Sequence, residues 1–174
     1  MIDISRMTPV NLLTSDTSEV GLDIADLAVE ARDYLLAHDW CVDVRGLYFD
    51  RGFPNVAVFF ADVEPSGDAD PQIWVIVGDV PPLYIDTVDQ HNGAEALAGY
   101  VVVLTDLIDF FNQGQSLSGM PPLLTRRSLE PLILNSELAN MLSSRLALIA
   151  KTTLSLWKNE IDSEMREALL EVSL

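Results

Sequence analysis

The spacing of apolar residues shifts along the chain from helical to alternating and back to helical. Val20, Ile24, Leu27, Ala31 and Leu35 recur every three or four residues, with Asp23, Asp26, Glu30 and Asp33 opposite them. This predicts an amphipathic helix with a solvated acidic outer face. Thr17 or Ser18, in the polar cluster TSDTSE, supplies its N-cap, and residues 1–19 read as an arm or loop leading into it. The run CVDVRGLYFDRG alternates imperfectly. A bulge at Gly46 would put Val42, Val44, Leu47 and Phe49 on one face and Asp43, Arg45, Tyr48 and Asp50 on the other. VAVFFADV, residues 56–63, is apolar on both faces, as expected of a central strand covered from two sides. The polar loop EPSGDADP then leads into a third strand, QIWVIV. Such short connections favour antiparallel hairpins over crossovers.

Gly78 and Asp79 end the third strand, because glycine tolerates positive φ and Asp bonds its own backbone in turns. Pro81 and Pro82 withhold two ladder donors, which leaves LYI, residues 83–85, as a short edge strand. NGAE at 92–95 is a capping-box variant with Asn92 as N-cap. The helix behind it carries Leu97, Tyr100, Leu104, Ile108 and Phe111, and Val101, Val102 and Val103 widen its apolar surface, so it is expected to be the central buried helix. Residues 112–122, rich in Gly, Ser and Pro, form a break. SLEPLIL beyond it suggests a short helical turn, and Asn135 or Ser136 opens a long helix whose cleanest apolar face is Leu138, Met141 and Leu148. Ile161, Met165, Leu169 and Val172 mark a last amphipathic piece.

This order predicts one α+β domain spanning residues 1–174: an antiparallel sheet of three to four strands against an N-terminal helix and two to three C-terminal helices. A length of 174 residues with 49% hydrophobic content suffices for one sizeable core. The most apolar segment, Ala94 to Phe111, contains Asp106 and Asp109, which argues against a membrane span. The start MIDISRMTPV has no apolar stretch behind a basic one, so export is not expected, and a lone Cys41 fits a reducing cytoplasm.

Charge changes the picture more than composition does. Ten basic residues face twenty-seven acidic ones, for a formal net charge of −17. Residues 1–91 hold seventeen of the acids and four of the bases. Repulsion from phosphates makes nucleic acid an unsuitable partner, whereas a basic protein would be steered toward such a field.

Candidate chemistry is sparse. Asp79, Asp86, Asp89 and His91 crowd the strand end GDVPPLYIDTVDQH, where a histidine among carboxylates suits a general base or a metal ligand. The same residues also serve as turn and cap chemistry, and that reading is favoured. His38 and Cys41 are too few for a metal site. The histidine suits the negative end of a helix, and the cysteine suits a small buried position. No cofactor is implied, because phosphate-binding glycine loops, nucleophile elbows and His-Glu-x-x-His are all missing from the sequence.

The combination Trp74, Gly78-Asp79, Pro81 and Tyr84, with the capped helix at NGAEAL, resembles a segment of small uncharacterised bacterial proteins. The resemblance implies a bacterial cytosolic origin and the strand, turn, helix order, and no activity. Three functional classes follow. The leading one is a noncatalytic acidic protein-binding module, immunity or antitoxin-like, for a basic partner. Next is an obligate homo-oligomer, a dimer, motivated by the doubly apolar strand and the wide apolar helix. The third is a small enzyme or ligand binder using Asp79 to His91.

Overall fold

In the computed structural model, which describes residues 2–13, 19–53, 55–117, 122–126 and 128–173, the alternating segments pair as one antiparallel meander. A 3-10 turn at Ile4–Arg6 precedes strand β1 (Thr8–Pro9) and helix α1 (Val10–Leu13), so the expected arm carries regular structure. Helix α2 (Glu19–Leu36) follows, then β2 (Cys41–Phe53), β3 (Val56–Pro65), β4 (Gln72–Gly78) and β5 (Leu83–Asp86). Helices α3 (Gly93–Asn112), α4 (Ser136–Trp157) and α5 (Ser163–Val172) complete the order. The cap expected at Thr17 or Ser18 lies outside the described residues. The fold is α+β: a five-stranded sheet in the order β1-β2-β3-β4-β5, with α2 on one face and the three C-terminal helices on the other. It has one strand more than expected, because two-residue β1 is too short to leave a pattern.

Alternation along β3 and β4 builds two cores. Val56, Val58, Phe60, Trp74 and Ile76 face α3, while Ala57, Phe59, Ala61, Ile73, Val75 and Val77 face α2. Central strands covered on both faces need apolar residues at every position, which is why these two read as unbroken runs. The apolar surface of β3 and most of that of α3, which suggested self-association, are thus consumed within the chain, Val103 staying exposed. Phe60 meets Trp74 edge to face at 5.4 Å, and Trp74 Nε1 donates to the Gln90 carbonyl at 3.0 Å. Buried Tyr100 on α3 donates its hydroxyl to the Pro81 carbonyl at 2.9 Å, which holds the double proline against the helix.

β2 departs from the expected alternation. The bulge at Gly46 is present, but register shifts also fall at Cys41/Asp43 and Phe49/Arg51. These turn Val42 out to solvent, 58% exposed, while Val44, Leu47 and Phe49 stay on the α2 face and Tyr48 packs toward α3. On α3, Asn92 Oδ1 accepts from the Ala94 and Glu95 amides, and the Glu95 carboxylate reaches back to the His91 amide, one residue before the cap. Val101 is buried but Val103 is exposed, so the apolar surface is narrower than its valines suggest.

Residues 128–134 form no helical turn. Leu129 has φ +54°, Pro131 cannot donate, and Leu124 bridges Pro131 in an antiparallel hairpin closed by Leu132 N donating to Leu123 O. This excursion straps the two layers together: Leu123, Leu132 and Leu134 pack on the α3 side, Leu124 and Leu129 on the α2 side. On α4 the inward face is Ala139, Leu142, Leu146, Ile149, Ala150 and Thr153. Met141 and Leu148, expected to face inward, point outward, with Met141 62% exposed. Among the described residues no helix is long and apolar enough to cross a membrane.

Candidate binding surface

The register of β4 separates the residues that looked most like a catalytic cluster. Asp86 pairs with Ile73 at one end of β4, while Asp79 follows Gly78 at the other. Five strand steps, roughly 17 Å, lie between those two ends. Asp79 bonds at its backbone, where its amide donates to Asn55 O, and its side chain reaches Arg145 at 3.5 Å. The expected turn bond from the Asp79 carboxylate to its own backbone is thus replaced by an ion pair. Asp86 Oδ1 accepts from the Val88 amide at 3.0 Å, Asp89 is exposed, and His91 is exposed with its amide on Glu95. Among the described residues no three His, Cys, Asp or Glu side chains are grouped to hold a metal ion.

Cys41 is buried, with its thiol 3.8 Å from the Asp43 carbonyl; burial and then the Asp43 charge push its pKa up, which keeps it protonated and unreactive. His38 sits just past the end of α2, stacked on Trp40 at 5.7 Å and edge-on to Tyr34 and Tyr84. Burial lowers its pKa below the ordinary 6.5, Asp39 pulling weakly the other way, so the packing of this aromatic cluster outweighs the helix-end effect expected from sequence. As pH falls below 6.5 the unfolded chain takes up a proton that the folded chain resists, and stability is lost over that range. His38→Phe keeps a ring and removes the titration. Thermal melts from pH 7.5 to 5.5 are expected to show the wild type losing more than this variant; parallel curves would rule the effect out.

Three loops meet at the Asp86 end of the sheet: the turn from α2 to β2, the loop from β3 to β4, and the segment from β5 to α3. They are tied to one another. Ser66 donates to Asp39 O through its hydroxyl and to Trp40 O through its amide, while Asp70 caps the Gln72 amide and meets the Thr87 hydroxyl at 3.5 Å. Turn formers explain the geometry, including Gly67 at φ +90°. Asp39, Asp43, Asp62, Glu64, Asp68, Asp70 and Asp86 lie at this end, and Asp89 follows in the segment that leads from it to α3. Arg32 pairs with Asp43 at 3.0 Å and Arg45 with Glu64 at 3.1 Å. Among the described residues none of the other six acids pairs with a cation. The acid excess of the first half of the sequence is therefore spatially focused.

The acidic face of α2 continues this field along the molecule, with one exception. Asp23, Asp26 and Asp33 are exposed as expected, but Glu30 is covered: its side chain is only 8% exposed, with Oε2 accepting from Arg126 Nε of the strap at 2.8 Å. Arg126 is 96 positions away, and no local pattern links the two.

Sequence reading also missed a charge network at the opposite end of the sheet. Arg51 donates from Nε to Asp50 at 2.5 Å and from Nη2 to Glu160 at 3.0 Å, and its guanidinium lies 5.0 Å over the Trp157 ring. Burial alone would depress the Arg51 pKa, but Glu160 and Asp50 outweigh it and keep the guanidinium charged. Asp50, expected on a solvated face, is only 10% exposed and packs against Gly93, where a Cβ would come within 2.2 Å of its carboxylate. The half-exposed Glu160 pair and the Trp157 stack, anchored by a largely buried Arg51, make this network a pin between β2 and the C-terminal helices.

No protein-family model, curated protein or solved structure matches the chain.

Proposed function

We propose that the protein is a noncatalytic binding module of the bacterial cytosol, of the immunity or antitoxin kind, that covers a basic partner protein. The observation that carries this reading is the sheet end: six carboxylates without cationic partners among the described residues, on strand ends and loops that hydrogen bonds tie together. Preordered like charges raise encounter rates with an oppositely charged surface and repel the wrong partner. The enzyme reading is weakened because Asp79 stands at the far end of β4 from Asp86, and the metal reading because no ligand group is assembled among the described residues. The oligomer reading loses β3 and most of α3, which are covered, and keeps scattered outward apolar residues such as Val29, Val103, Met141, Leu148 and Leu156.

The test is binding of a labelled decalysine peptide, followed by fluorescence anisotropy at low and high salt. Asp39, Asp68, Asp70, Asp86 and Asp89 are changed together to Asn, which keeps the acceptor oxygens of the turn bonds. At a few tenths of a kcal/mol per exposed charge, the variant is expected to bind about tenfold more weakly. The control changes Asp109, Glu137, Glu164, Glu167 and Glu171 to their amides, gives the same net charge, and is expected to bind within about twofold of wild type. Equal weakening of both would mean that net charge alone attracts the peptide, and the reading would fall.

A further inference from the structure

We propose that a cleft between α2 and the β2–β3 turn receives one large apolar side chain of a basic partner segment, whose neighbouring lysines or arginines pair with the acids on its rim. The proposal rests on the reading of the protein as a module for a basic partner, and it names what the partner must present.

The cleft has a volume of about 690 Å³, within the range of sites that enclose a small ligand. Its floor is apolar, from Leu27, Phe49, Phe53 and Val56, while Asp23 and Asp26 stand exposed at the rim without cationic partners among the described residues. The strap supplies one cation to the wall, Arg126, and Glu30 already holds it. The lining is therefore apolar below and net negative above. A purely apolar segment would leave the rim acids unanswered, and a purely basic one would leave the floor in water; a segment with both characters satisfies each.

Glu30 gives an independent pointer. Its side chain is more than nine-tenths buried, its Oε1 has no hydrogen-bond partner among the described residues, and it borders a neighbouring groove of about 340 Å³ shared with Asp26, Asp33 and Arg126. A buried carboxylate oxygen without a donor is costly. The groove beside the cleft carries Asp26, Glu30 and Asp33 against the one cation Arg126, so a basic segment seated in the cleft meets further acids there.

The probes are two labelled peptides, four lysines around one tryptophan and the same peptide with serine in the centre. Wild-type protein is expected to bind the tryptophan peptide at least about tenfold more tightly, as burial of a large apolar side chain requires. Ile24→Trp, which fills the cleft from its wall, is expected to cut this preference to within about twofold. Should that variant not fold, Asp23→Lys/Asp26→Lys at the exposed rim decides: it is expected to weaken both peptides by more than about tenfold. The five-Asn variant of the sheet end is expected to keep the tryptophan preference, so failure at that surface and failure here read differently. Equal binding of the two peptides by the wild type, or a preference that survives Ile24→Trp, would overturn the proposal. So would a dimer in sedimentation that Ile24→Trp dissociates, since a second copy would then own the cleft.

Discussion

Gly78→Ala is expected to cost about 4 kcal/mol or more, enough to leave little folded protein at moderate urea. Gly78 has φ +125°, and a Cβ there would lie 2.0 Å from Asn55 O and 2.9 Å from Val56 Cα. Both obstacles are backbone, so no side chain can swing aside. They cannot retreat either, because Val56 is Gly78's own ladder partner and the Asp79 amide donates to Asn55 O. Gly67→Ala is the control: its φ of +90° is also unfavourable, but nothing lies within 4 Å of the added methyl. That variant is expected to lose about 1–2 kcal/mol from backbone strain alone. Urea denaturation of the pair separates strain from collision, and similar midpoints would show that the close approach is absent in solution.

Arg51→Met is expected to destabilise by about 3–5 kcal/mol, because it leaves the buried Asp50 carboxylate without its counter-charge. Glu160, with its side chain 46% exposed, keeps access to water, and Glu160→Gln is expected to cost below about 1 kcal/mol. The asymmetry follows from burial, since the guanidinium contacts both acids at hydrogen-bond distance. Adding Asp50→Asn to Arg51→Met is expected to recover part of the loss, and a double-mutant cycle by urea denaturation reads that coupling directly. If Arg51→Met costs no more than Glu160→Gln, the network is superficial and the pin between β2 and the helices lies elsewhere.

What was legible in the sequence follows from locality. The runs of β3 and β4, the break at Gly78 and the Asn92 cap are each decided within a few residues, and each stands where its pattern put it. α4 misled because its face was judged by side-chain size. Helices that approach closely meet through small residues, so Ala139, Ala150 and Thr153 turn inward beside Leu142 and Leu146, and Met141 is left outside. The Glu30–Arg126 and Arg51–Glu160 pairs span 96 and 109 positions and leave no periodicity. Asp79 and Asp86 are neighbours in the chain, but a strand lengthens with every residue, and antiparallel return carried Asp86 to its other end.

The strap of residues 122–134 sets an order of events during synthesis. α2 and the sheet are complete once the chain has passed Asp86, yet the wall beside Glu30 arrives only with Arg126, and the α2-side core gains Leu124 and Leu129 at the same late stage. A growing chain emerges from its N-terminus at about 5–20 residues per second, so for some seconds the acidic helix stands beside a sheet whose α2-side core lacks Leu124 and Leu129. The strap then crosses from the helical layer and closes it. A nascent chain whose strap has not yet emerged therefore presents more apolar surface on the α2 side to chaperones than one whose strap has docked.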